Sequence, residues 1–430
     1  MKCINEIYCS FCGKSGEQVC KMVSKSNGSC ICSDCVQFYL NEIKKQDINF
    51  YLSESAKEKL AGYKPKIIKK LLDKFVIGQD EAKKALAVAI RNHVKLEIHS
   101  ELNFSTNNEV ELSKSNALLI GPTGSGKTFL IQTLAKILNV PLLIVDATKF
   151  TEAGYVGEDV EKIVYDLLAL SDDEVEHAEK GIVYIDEIDK LCREGGYLGR
   201  DIGGEGVMQA LLKLIEGKIV KISRNKSKKS HIDDVIEVNT ANILFVCGGS
   251  FTGLEKIIQD RIGKKTLGFN SVSKLKNNEE NFLSKNLEPI DLEKFGLIPE
   301  LIGRLPIVSV FHKLSEKDLL SVLVDPVNSL TKQFTKLFNE DGVDLIFEYE
   351  ALQLIAKIAY TTGSGARGLR KIIEEVLMQA MYEVFSDEKI TECIITKETV
   401  ERRGEESSFE IVSEEDELKA MMGGGNKNYG

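Results

Sequence analysis

The 430-residue chain lacks the features of a membrane protein, a disulfide scaffold or a nonspecific nucleic-acid binder. No apolar run approaches the roughly 18 residues that a bilayer span requires. The N-terminus, with Glu6 and nearby cysteines, lacks the basic-then-apolar order of a secretion signal, so a cytoplasmic protein is expected. A basic excess is missing too. The 56 Lys and Arg stand against 66 Asp and Glu, a net charge of −10, which disfavours sequence-independent binding of phosphate backbones. No internal repeat is visible. Cysteine is scarce beyond residue 35: seven of the ten precede that point, and only Cys192, Cys247 and Cys393 follow. Such clustering suits a metal site better than a disulfide framework.

What is present begins with Gly121-Pro122-Thr123-Gly124-Ser125-Gly126-Lys127-Thr128, which fits the phosphate-loop pattern G-x-x-x-x-G-K-[ST] at every fixed position. An apolar run, Asn116 to Ile120, precedes it, and Leu130, Leu134, Ile137 and Leu138 follow at helical spacing. In that strand–loop–helix setting, backbone N–H groups surround phosphates at a helix N-terminus. Lys127 is placed to reach the β/γ-phosphates and Thr128 to ligate Mg²⁺. A second signal, Ile182-Val183-Tyr184-Ile185-Asp186-Glu187, is an apolar strand delivering two adjacent carboxylates. Asp186 would hold Mg²⁺, and Glu187 would orient the water that attacks the γ-phosphate of ATP.

Cys9-x-x-Cys12 and Cys32-x-x-Cys35 have the spacing of a four-thiolate structural Zn²⁺ site. Residues 1–45 are too few to bury a sufficient core unaided, and a bound metal supplies the missing folding free energy. Cys3, Cys20 and Cys30 are further candidates, and Cys30 competes with Cys32. Val36, Phe38, Tyr39 and Leu40 form an apolar patch suited to dimerisation, to partner docking or to packing within the module.

The remaining chain divides by pattern. Residues 46–64 read as a polar linker, and 65–312 as a large α/β domain whose strand-like runs at 117–120, 142–146, 181–186 and 243–247 alternate with helices. A parallel sheet covered on both faces is expected. The polar stretch 99–115 reads as a surface loop. Residues 313–405 read as a smaller α+β lid, with helical patterns at 315–339 and 349–360, strand-like segments at 344–348 and 392–396, and a helix from about Ala366. The acidic and then glycine-rich residues 406–430 read as a disordered tail.

The phosphate loop, the acid pair, Gly303-Arg304 and Gly365-Ala366-Arg367, in that order, resemble an AAA+ ATPase. The four-cysteine module, Gly154-Tyr155-Val156-Gly157 and Leu267-Gly268-Phe269 narrow the resemblance to the ClpX family of protein unfoldases, over residues 9 to about 400. The resemblance implies ATP bound by residues Gly121 to Phe129, with Val76 and Ile77 against the adenine. It implies Arg304 as an arginine finger reaching a neighbouring subunit, and Arg367 contacting phosphate from the lid, with Arg370 the competing candidate. It also implies a homohexamer whose Tyr155 and Val156 grip a polypeptide in a central pore, and docking of the ClpP peptidase by Leu267, Gly268 and Phe269. Adaptor proteins would bind through the zinc module.

Two further segments resemble substrate-facing loops. Arg193 to Gly204 matches a second pore loop. Lys218, Lys221, Arg224, Lys226, Lys228, Lys229 and His231 form a local cationic stretch that would attract an anionic peptide terminus. The family usually carries Arg-Lys-His where this chain reads Lys229-Ser230-His231. A chaperone that remodels complexes without a protease, and a nucleic-acid motor using the basic stretch, are the competing readings.

Overall fold

The computed structural model describes residues 8–15, 18–19, 21–24, 29–36, 38–39, 60–103, 114–151, 159–192, 202–224, 234–265, 282–386, 389–403 and 409–413. Two compact units separate, the smaller holding the cysteine-rich segment and the larger holding the chain from Lys64 onward except residues 94–113. The smaller unit contains an antiparallel strand pair, β1 (Met22–Ser24) and β2 (Cys30–Cys32), in which Met22 faces Cys32.

The larger unit opens with α1 (Pro65–Leu72). Its proline occupies the first turn, where the missing N–H costs nothing, and Ile68 and Leu72 are buried. Helix α2 (Asp80–Asn103) follows a short connection. It runs to Asn103, into the stretch read above as a loop from residue 99, because polarity alone does not end a helix.

From here strands and helices alternate. Strand β3 (Ala117–Ile120) leads into the phosphate loop and α3 (Lys127–Leu138). Next come β4 (Leu142–Asp146), α4 (Lys162–Leu170), β5 (Ile182–Asp186) and α5 (Ile202–Glu216). An antiparallel ribbon, β6 (Ile219–Arg224) with β7 (Asp234–Asn239), precedes β8 (Leu244–Gly249) and β9 (Ile307–Val310). The main sheet is fully parallel in the order β4-β5-β8-β3-β9. Every residue of β3 and β8 is buried, as a sheet covered on both faces demands. Between β8 and the edge strand β9, β3 carries the phosphate loop to the C-terminal edge of the sheet, where β5 also ends in Asp186.

Beyond Phe311 the chain builds a separate apolar core around Leu319, Phe338, Ile355, Leu369 and Ile373. Helix α6 (Glu316–Val324) begins in a capping box between Ser315 and Asp318. The single long helical pattern of 315–339 is broken at Asp325-Pro326, so α7 (Leu330–Glu340) is a second helix. Strand β10 (Asp344–Phe347), α8 (Tyr349–Thr361), α9 (Gly365–Val384) and β11 (Ile390–Ile395) complete most of the lid. The tail assignment needs correction. Residues Glu410–Ser413 form β12, paired antiparallel with β11, and Phe409 is buried against the lid core. Phe409 and Ile411, two residues apart and so on one face, pack on the lid core and suffice to complete a three-stranded sheet despite the acidic surroundings.

Candidate functional site

A cavity of about 890 Å³ lies where the sheet edge meets the lid, within the size range of ligand sites. The phosphate loop supplies Pro122, Thr123, Gly124, Gly126, Lys127 and Thr128 to its wall, and α3 supplies Phe129 and Gln132. Gly124 and Gly126 hold φ of 78° and 93°, conformations that favour glycine. Space matters as much as dihedral at Gly124, where a Cβ would lie 2.6 Å from the Ser364 carbonyl of the lid. The Ala366 N–H donates to the Gly124 carbonyl at 3.2 Å, so the start of α9 is bonded directly to the phosphate loop.

The acids lie on the opposite wall. Thr128 Oγ1 donates to Asp186 Oδ2 at 3.1 Å, and Tyr184 Oη and the Glu187 N–H donate to Oδ1 at 3.3 and 3.0 Å. Burial, reinforced by the Asp186 charge, raises the Tyr184 phenol above its ordinary value and keeps it a donor. Gly248 on β8 is needed here, because a Cβ would collide with the Tyr184 hydroxyl. Glu187 is exposed and sits at φ 58°, which turns it out of the strand beside Asp186. Lys127 is buried, its Nζ donating to the carbonyls of Gly121 and Pro122 at 2.6 and 3.2 Å. Burial holds its ammonium below the ordinary value, while Asp186 and Asp189 pull the other way.

The donor set fits a magnesium nucleotide: glycine-rich backbone, one ammonium, one hydroxyl and one carboxylate meet at a helix N-terminus. Ser125 Oγ, buried inside the loop with no hydrogen-bond partner, is consistent with a ligand-shaped cradle.

Several lining residues were not foreseen. Asp189, buried, accepts from Ser250 Oγ and the Phe251 N–H at 2.8 and 3.1 Å, and Ser250 and Thr252 follow directly on β8. Polar residues immediately after an all-apolar strand are the signal that could have found them. The apolar wall is made of Phe75, Val322, Pro326 and Leu330. Val76, which is buried, and Ile77, expected against the adenine, are not among the residues that line this cavity, whereas the adjacent Phe75 is.

Arg367 and Arg370 both line the cavity. Arg370 is paired with Glu374 at 2.8 Å, one helical turn on. Arg304 lies outside the cavity, bonded to Glu216 at 2.8 Å. Its carbonyl accepts from Asn116 Nδ2 at 3.2 Å.

In the smaller unit the Sγ atoms of Cys9, Cys12, Cys32 and Cys35 lie within 4.8 Å of one another, with Cys12 and Cys32 3.6 Å apart. Zinc–sulfur bonds of about 2.3 Å in a tetrahedron require sulfurs about 3.8 Å apart, so these four residues fit Zn²⁺. Although burial would raise it, backbone N–H groups of Cys12, Cys32 and Phe11 bring the Cys9 thiol down to about 6. Burial and the three neighbouring sulfurs push Cys35 up to about 12. Cys30 is buried but is not one of the cluster, and Cys3 and Cys20 lie outside the described residues.

The basic stretch is partly resolved into ion pairs. Lys218 bonds Glu161 at 2.5 Å, and Lys221 bonds Glu237 across the β6–β7 ribbon at 2.9 Å. Its charge is therefore lower than the run of lysines implies. Lys226, Lys228, Lys229 and His231, like Tyr155, Val156, residues 193–201 and Leu267–Phe269, lie outside the described residues. No helix among the described residues is long and apolar enough to cross a membrane. Cys192, Cys247 and Cys393 are buried, and burial pushes their thiols up to about 12, which leaves them unreactive.

Comparison with known proteins agrees with this architecture. Residues 112–308 match the family model of the AAA domain (Cdc48 subfamily), and residues 314–397 that of the C-terminal D2-small domain of ClpB protein. Residues 7–43 match the ClpX C4-type zinc finger. Two curated relatives, the ATP-dependent Clp protease ATP-binding subunits ClpX of Borrelia duttonii (strain Ly) and Borrelia recurrentis (strain A1), are each 46% identical over 394 residues. Those alignments cover 91% of this chain and 90% of each relative. On the joint strength of zinc finger, ATPase domain, lid and near-full-length identity, the chain belongs to the ClpX family of AAA+ ATPases.

Proposed function

We propose that this chain is an ATP-dependent protein unfoldase and translocase that threads protein substrates toward the ClpP peptidase. The observation that carries the catalytic assignment is the 3.1 Å bond from the Thr128 hydroxyl to Asp186, with Glu187 beside it on the cavity that Arg367 also lines. Thr128 and Asp186 would hold Mg²⁺, which when bound neutralises phosphate charge. The Lys127 ammonium, released from the Gly121 carbonyl, would bind the β/γ-phosphates. Glu187 would orient a water for in-line attack on the γ-phosphate and take its proton. Arg304, exposed and at the far end of its own sheet from this cavity, would reach the γ-phosphate held by a neighbouring copy, where its fork binds two oxygens. Arg367 rather than Arg370 is the better lid contact, because Glu374 neutralises Arg370.

Residues 1–45 would form the zinc domain, with adaptor proteins as its partners, 46–64 a linker, 65–312 the large ATPase domain and 313–405 with β12 the lid. Six copies in a ring would place Tyr155 and Val156 around a pore, where an aromatic and a β-branched side chain grip polypeptide without reading its sequence. Leu267, Gly268 and Phe269 would dock ClpP. A cytoplasmic location is part of this reading. The test is ATP-dependent loss of a stably folded, peptide-tagged protein. Degradation is expected only with ClpP, ATP and this chain together, and equal degradation without this chain would sink the reading.

A further inference from the structure

Gln79 is buried, yet its backbone sits at φ 57°, a left-handed conformation that a non-glycine residue adopts at a cost. Its side-chain amide is satisfied wholly by distant main chain. Nε2 donates to the Ser125 carbonyl at 3.3 Å and to the His312 carbonyl at 2.8 Å, while Oε1 accepts from the His312 N–H at 3.1 Å. Ser125 belongs to the phosphate loop. His312 lies on the crossover by which the chain leaves β9 for the first lid helix, α6. One amide thus joins the nucleotide cradle to the passage between sheet and lid.

The post that carries Gln79 is firm. Lys83 Nζ donates to Asp73 Oδ1 and the Val76 carbonyl at 2.8 and 2.6 Å, and Lys69 bonds both Asp73 and Asp80. On its other side the Lys74 carbonyl accepts from Val327 of the lid at 3.0 Å. The Ser125 carbonyl and the Gly126 N–H share one planar peptide. A phosphate that draws the Gly126 N–H toward itself must therefore tilt the Ser125 carbonyl against Gln79. The amide is bonded on both of its polar atoms to His312, so it passes that tilt to the crossover and does not absorb it.

We propose that Gln79 is a positioning residue that couples phosphate at the loop to the placement of the lid, a role that rests on the reading of the cavity as the ATP site. The test is hydrogen exchange of the full-length protein, with and without a slowly hydrolysed ATP analogue. In the unaltered protein the analogue slows exchange both at 121–131 and at 315–325. In Gln79→Met, which keeps length and loses all three bonds, slowing persists at 121–131 and is lost at 315–325. Its kcat for ATP falls about tenfold while nucleotide affinity changes less than about threefold. Gln79→Glu keeps the acceptor for the His312 N–H but loses both donated bonds, and the lid response is lost there too. Full protection of 315–325 in either variant overturns the proposal. So does faster exchange throughout, including β3 and β8, which would mark a merely structural role. No slowing at 121–131 in the unaltered protein would remove the ATP-site reading itself, and the proposal with it.

Discussion

Among the described residues of the cysteine-rich segment, only Cys9, Cys30 and Cys32 are buried, and Tyr8, Phe11 and Phe38 are exposed. The candidate nucleotide cavity instead stands on a five-stranded sheet whose inner strands β3 and β8 are wholly buried. The difference shows what each ligand is for. A metal stands in for a core in the first case, supplying folding free energy on the order of 10 kcal/mol. In the second, a complete core exists already, and the ligand can come and go without the fold depending on it. A ligand that must turn over needs the second kind of site.

Removing the metal breaks the comparison most severely. One Zn²⁺ per chain is expected by elemental analysis, and Cys32→Ser or strong chelation should abolish it and unfold the smaller unit. The larger unit's thermal transition should stay in place, and its disappearance on chelation would show that its fold also depends on the metal. Next in size is Glu187→Gln, which should lower ATP turnover by about 100-fold or more while nucleotide still binds. Steady-state turnover beside fluorescent-nucleotide titration measures both, and persistent turnover would exclude Glu187 as the residue that orients water.

The smallest effect concerns Lys114, whose Nζ donates to the Ile215 and Thr240 carbonyls beneath the Phe245 ring. Burial lowers its ammonium to about 7 from an ordinary 10.5. Between those values the unfolded chain holds more protons than the folded one. The larger unit should therefore gain stability as pH rises from about 7 toward 10.5, by at most about 1.4 kcal/mol per pH unit. Urea unfolding at several pH values should show this slope flattened in Lys114→Met. An equal slope in the variant would assign the proton elsewhere.

How much of this was legible depended on how local each signal is. The phosphate loop, the acid pair and the paired cysteines are compact motifs, and four of the five sheet strands are continuous apolar runs. The fifth, β9, is only Ile307-Val308-Ser309-Val310 and carries too little pattern to stand out. The β6–β7 ribbon was hidden by its lysines, although Val220 faces Val238 and Ile222 faces Ile236 across it. The partners that neutralise those lysines, Glu161 and Glu237, are distant in sequence, so charge counting overestimated the patch. The wall formed by Phe75 with Val322, Pro326 and Leu330 joins segments about 250 residues apart, which no periodicity reveals. Gln79 was invisible for the same reason.

Strand β3 has one consequence for how assembled copies would communicate. At its C-terminal end it presents the phosphate loop, and at its N-terminal end Asn116 grips the carbonyl of Arg304 while also accepting from the Phe245 N–H of β8. Some four residues, about 13 Å of extended chain, separate the two ends. Each subunit in a head-to-tail ring would thus give at one end of a single strand and receive at the other. Successive catalytic centres would then be linked in series through one fully buried strand, with the phosphate loop at one end and the Asn116–Arg304 contact at the other.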